Sequence, residues 1–201
     1  VVDDAGRIPP APPDPVIAAL AAEGVDLDGA HGAAHASPRS LEMPAADAAL
    51  LARLDVPEHL RTTEWRRTHS LADAIAALAD AKPGRAAGDV VPAAAALWLE
   101  NRAAGATVAI GYLYAKNCAA CHGARGAGDG PAAVDAATTP AAFTLATLAD
   151  RRSDVLYAKI RRGGMGTGMP NFGTLFTPEE TWSLVDYLWV LALDGDLPSA
   201  R

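Results

Sequence analysis

Cysteine is almost absent from this 201-residue chain, which contains only Cys118 and Cys121. No second cysteine pair exists to complete a four-ligand zinc site. Aromatic residues make up only 5% of the chain, and much of the apolar half is alanine rather than β-branched residues. Alanine has the best intrinsic helix propensity, so this shortage of strand formers points to an all-α fold. No apolar run approaches the roughly 20 residues needed to span a bilayer. The best stretch, WSLVDYLWVLAL, is too short and is interrupted by Asp186. Basic charge is also scarce. Residues 1–104 hold 15 acids and 9 bases (net −6), residues 105–201 hold 9 and 8 (net −1), and the total is −7. An acidic chain without a basic patch is not built for nucleic acid. Its two arginine pairs, Arg151-Arg152 and Arg161-Arg162, read first as solvated faces.

Fifteen prolines and eighteen glycines break the helices into short pieces. The chain opens VVDDAG, without Met or a charged-then-apolar leader, which reads as a processed or trimmed form that has lost a signal peptide or membrane anchor. A proline-rich lead-in over residues 1–14 has the composition of a tether. Asp14, Pro15 and Gly24 bracket an expected helix as N-cap, first residue and stop. Residues 24–41 show no period, and His31 and His35 within them read as solvated loop residues rather than metal ligands. Short helices are expected over 44–54, over 70–80 with Ser70 and Asp73 as a capping box, and from Pro92 to about Ala104. Residues 1–104 therefore read as an N-terminal extension. With few large apolar residues, it is expected to wrap around the remainder or dock on a partner.

The texture changes at Gly105. ATVAIGYLYAKN is helical in pattern and runs directly into CAACHG (residues 118–123). C-x-x-C-H is the attachment pattern of a c-type haem. Two thiols at this spacing can add across the two vinyl groups on one porphyrin edge, which carries the next residue, His122, beneath the iron. A thioredoxin-like dithiol expects a βαβ context that this helical chain lacks. A disulfide inside C-x-x-C would close a very small loop and leave His122 without a role.

A haem that carries electrons calls for a second ligand downstream, and methionine thioether suits it by favouring ferrous iron. Of only three methionines, Met165 and Met169 lie in GGMGTGMPN, where four glycines among nine residues leave little core for a methionine to fill. Met169 is the expected ligand, between Gly168 and Pro170, with Met165 as the alternative. The closing segment TPEETWSLVDYLWVLAL carries Thr177, Pro178 and Glu180 as the start of a helix.

CAACH, GDGPAA, GTGMPNF and ETWSLVDYLWVL together resemble a class I cytochrome c domain over about residues 105–195. The resemblance implies one covalent haem c, held by Cys118 and Cys121 and ligated by His122 and Met169. It implies a first and a last helix that cross, with Gly111 permitting close approach and Tyr187 or Tyr114 packing across. His122 is expected to donate its other ring N–H to a backbone carbonyl. Arg125, Arg161, Arg162 and Asn171 are the candidates for propionate or sulfur contacts. The expected function is one-electron transfer, not enzymatic catalysis, with no small-molecule substrate at the iron. A haem enzyme or ligand-binding protein with a displaceable sixth ligand is the rival. Expected partners are redox proteins, as other subunits of a membrane-associated respiratory or photosynthetic complex. The expected place is the periplasm or the extracytoplasmic membrane face, with anchorage by a segment outside this chain.

Overall fold

The computed structural model describes residues 48–81, 87–100, 108–164 and 166–194. All belong to one compact unit that begins at Ala34; the other unit, Val1–Ala33, lies outside the described residues. So do the helix expected after Asp14, His31, His35 and Met165. The described elements are α1 (Ala48–Ala52), a 3-10 turn (Glu58–Arg61), α2 (Thr63–Thr68), α3 (Leu71–Ala81) and α4 (Ala87–Leu99). They continue with α5 (Val108–Asn117), α6 (Ala119–His122), a 3-10 turn (Ala133–Asp135), α7 (Leu145–Leu148), α8 (Ser153–Arg162) and α9 (Pro178–Asp194). There is no strand among the described residues, and the fold is all-α.

Local chemistry sets several of these boundaries. The Ser70 amide and hydroxyl both donate to Asp73 Oδ2 at 2.7 Å, and the Asp73 amide donates back to Ser70 Oγ at 3.1 Å. This reciprocal pair satisfies amides that the first turn of α3 leaves without helical partners. Thr177 and Glu180 repeat it at α9, with bonds of 2.8 and 3.1 Å. The expected start of α4 at Pro92 needs correction, because the helix begins at Ala87 and Pro92 sits inside it. The missing N–H of Pro92 leaves the carbonyl of Gly88 without its helical bond. Gly88 is exposed, so water can serve that carbonyl and the helix runs through.

Two crossings position everything else. α5 packs on α9, where a Cβ at Gly111 would stand 3.5 Å from the Tyr187 hydroxyl. Tyr114 meets Tyr187 in the same contact at 5.2 Å between ring centroids. On another side, α2 packs on α8 while α4 packs on α1, α3 and α9. Trp98 and Trp189, both fully buried, meet edge-to-face at 5.5 Å across the α4–α9 contact. Arg67 lies 4.4 Å over the ring of Trp182 on α9. Buried Arg66 donates to the backbone carbonyl of Glu100. Burial pushes the Arg66 pKa down, opposed by the carboxylates of Asp186 and Glu100. Backbone bonds join the same regions: the Ala72 amide to the Ala149 carbonyl at 2.9 Å, and the Ser153 amide to that of His69 at 3.3 Å. Residues on both sides of position 104 thus share one core. The paucity of large side chains before 104 is offset by close packing, with Ala93 to Trp98 all buried in α4.

Two outcomes follow for urea unfolding. Trp98→Ala should cost about 3–5 kcal/mol, the usual cost of emptying a buried tryptophan site. Ser70→Ala should cost about 1 kcal/mol through loss of the cap. The Asp73 carboxyl also ties stability to pH. Burial raises its pKa, but the two Ser70 donors, helped by His69 and Arg152, hold it below the ordinary carboxylate range. A depressed folded pKa contributes stability above the unfolded value of about 3.9 and loses it as pH falls through the folded value. Asp73→Asn should therefore flatten the acid limb of the stability curve and leave its shape above neutrality unchanged.

Candidate haem site

The CAACH segment is one short turn continuous with α5. The Cys118 amide still donates to the Tyr114 carbonyl at 2.8 Å, and α6 then carries residues 119–122 to Gly123. Gly123 takes φ +80°, a conformation that favours glycine, and its amide closes the turn on Ala119 at 2.9 Å. Tyr114 donates its hydroxyl to the Gly123 carbonyl at 2.7 Å, so the stop is pinned to α5. The segment GDGPAA folds back over the turn. Amides of Gly128, Gly130 and Ala132 donate to the carbonyls of His122, Cys121 and Ala120 at 2.8, 3.2 and 2.8 Å. A Cβ on Gly130 would collide with the carbonyls of Ala119 and Ala120, which explains a glycine at that point.

Cys118 and Cys121 are unbridged and half-buried. Burial, with the Cys121 thiol beside it, pushes the Cys118 thiol up to about 11. The His122 pKa is lowered by burial, although its bond to the Ala141 carbonyl works the other way. That bond joins Nδ1 to the Ala141 oxygen at 2.9 Å, the carbonyl contact expected for this histidine. Phe143 stacks on the imidazole at 4.6 Å and 22°. A neutral imidazole that donates from Nδ1 keeps its Nε2 lone pair for a metal. With two unbridged thiols one turn away, this donor set fits a covalently attached haem. It does not fit zinc: no group of three His, Cys, Asp or Glu among the described residues could hold a metal ion.

The second motif is a loop between α8 and α9. α8 ends at Gly163 (φ +78°), where a Cβ would press on the carbonyls of Met169 and Pro170 at 2.7 and 2.6 Å. The Gly164 amide donates to the Met169 carbonyl at 3.1 Å, and the Met169 amide to Thr167 Oγ1 at 3.3 Å. Gly168, at φ +83°, turns the chain directly before Met169.

The four polar candidates have different surroundings. Arg125 is exposed and lines a surface groove of about 470 Å³ with Asp129, Phe143 and Leu191. Arg162 is half-buried at the end of α8. Arg161 is engaged within the fold. Its Nη1 donates to the Phe176 carbonyl at 2.9 Å and to Thr181 Oγ1 at 3.3 Å, and its Nη2 donates to the Gly173 carbonyl at 2.8 Å. Asn171 accepts from the Gly173 amide at 2.8 Å, so its oxygen closes a turn. Ala141, Phe143, Thr167 and Gly163 were not singled out from the sequence. A carbonyl acceptor such as that of Ala141 carries no residue signal; only the glycine richness around Gly163 could have drawn attention.

Residues 105–188 match the family model described as cytochrome C oxidase, cbb3-type, subunit III. No curated protein matches the chain. Among solved structures, a chain of the reducing HAO-like protein complex of Kuenenia stuttgartiensis aligns at 22% identity and a TM-score of 0.39. That alignment covers 56% of this chain and 63% of the other, so this chain spans less than two thirds of that protein's length. The family match falls on the two haem-site loops and the helices that carry them, and it implies haem c binding. Residues 105–188 are thus similar to a c-type cytochrome domain.

Proposed function

We propose that this chain is a one-electron carrier with a single haem c, bound through Cys118 and Cys121 and ligated by His122 and Met169. A haem c in this site would supply the Fe(II)/Fe(III) couple. The observation that carries the reading is the 2.9 Å bond from His122 Nδ1 to the Ala141 carbonyl, one turn from two unbridged cysteines. That bond fixes the ring and directs Nε2 to the ligand role. Met169 would supply the second ligand to the iron, held by a loop packed on Gly163. Filling both positions from the protein leaves no site for oxygen or substrate, and the role is electron transfer rather than catalysis.

The matched family is described as an oxidase subunit, which supports membership of a membrane-associated redox complex with redox proteins as partners. Residues 105–201 form its cytochrome domain, and residues 1–104 an extension that includes the helices seated on α8 and α9. Covalent haem attachment would support a location in the periplasm or on the extracytoplasmic face of a membrane. No helix among the described residues is long and apolar enough to cross one, so anchorage would come from another segment or subunit.

The ferric absorption spectrum tests the ligand pair. The unmutated protein should be low-spin with a sulfur-to-iron charge-transfer band. Met169→Ala should abolish that band, and Met165→Ala should retain it; high-spin ferric haem in the unmutated protein would overturn the assignment. Gly163→Ala should weaken the band, since its new methyl would collide with the carbonyls beside Met169. Purification from native membranes should recover integral redox subunits with this chain, and recovery of the chain alone would refute complex membership.

A further inference from the structure

The loop that bears Met169, residues 163–173, contains five glycines, so its unfolded ensemble is broad and ordering it is entropically costly. Thioether is a neutral, replaceable ligand. How often it occupies the iron depends on how strongly the two ends of the loop are held, as in any tethered ligand.

Both ends meet at one residue. Where α8 finishes, the carbonyls of Ile160 and Arg161 accept from the amides of Phe172 and Gly173 at 3.3 and 2.8 Å. The Arg161 side chain then returns to the same point, with Nη2 donating to the Gly173 carbonyl at 2.8 Å. Arg161 and Gly173 are therefore bonded in both directions, by backbone and by guanidinium. Nη1 reaches past the loop to the Phe176 carbonyl at 2.9 Å and the buried Thr181 hydroxyl at 3.3 Å, in the first turn of α9 and just before it. One planar guanidinium thus ties the end of α8, the exit of the methionine loop and the start of α9. A lysine ammonium lacks the fork needed to serve all three acceptors at once.

The geometry points to Arg161 as a positioning residue: by clamping the 163–173 loop between α8 and α9, it sets the occupancy of the sixth ligand position by Met169. This rests on the His122/Met169 reading, and it assigns Arg161 to the loop rather than to a propionate. The clamp holds the loop at both of its ends, so it should change exchange of the sixth ligand by more than it changes the stability of the whole unit.

The test is a titration of the full-length ferric holoprotein with imidazole, which competes for the sixth position, beside urea unfolding of each variant. Arg161→Lys should bind imidazole about ten-fold more tightly than the unmutated protein, equivalent to about 1.4 kcal/mol. Thr181→Val, which keeps the arginine and removes one acceptor, should bind about two- to three-fold more tightly. It carries the test if Arg161→Lys yields no holoprotein. Ser70→Ala lowers global stability far from the loop and should leave imidazole affinity unchanged. Unchanged affinity in the Arg161 and Thr181 variants overturns the proposal, as does an equal rise in Ser70→Ala. A missing sulfur-to-iron band in the unmutated protein removes the ligand assignment and the proposal with it. A band present with unchanged affinities removes the proposal only.

Discussion

The contact of α5 with α9 at Gly111 and Tyr187 is the constraint on which the haem site depends. α5 delivers the chain into CAACH, and α9 begins directly after the methionine loop. The distance between these helices therefore sets the separation of the two haem motifs. At Gly111 a single added methyl would reach van der Waals contact with the Tyr187 hydroxyl, and any larger side chain would displace the ring. Tyr114 extends this control by touching Tyr187 on one side and holding the Gly123 carbonyl on the other. A change at the crossing is thus transmitted to the end of the turn that carries His122.

The same core explains how the described residues pack with so few aromatic side chains. Its tryptophans are concentrated where elements from either side of position 104 meet. Trp65, Trp98 and Trp189 form a sequence of edge-on contacts at 6.3 and 5.5 Å, and Trp182 is covered by Arg67 and Tyr157. Edge-to-face aromatic pairs contribute roughly 0.5–1.5 kcal/mol beyond the area they bury. Buried alanines let α4 approach closely enough for these contacts to form.

What was legible in the sequence was local or covalently dictated. The capping boxes at Ser70 and Thr177 depend on residues three apart, and C-x-x-C-H states its chemistry in five positions. The start of α4 was misread because proline favours the first helical turn, while the exposure of Gly88 that admits Pro92 further in is a tertiary property. The role of Arg161 was hidden for a related reason. Adjacent arginines suggest solvent or propionate, and the carbonyls of Gly173 and Phe176 that receive its guanidinium have no side-chain signature. Nor could composition show that α4 would meet α9 through Trp98 and Trp189, since neither residue specifies its partner.

The seating of α2 and α4 on α8 and α9 also has a kinetic meaning. Random collision with another protein samples every exposed face, and only a fraction of orientations bring two redox centres close enough to exchange an electron. Here one side of the helix pair is already covered by the chain's own helices. Encounters in which that side would have been offered to a partner are removed, and those that remain are weighted toward the other faces. In the proposed electron carrier, the covering helices would act as an orientational filter on association, without having to touch either the partner or the iron.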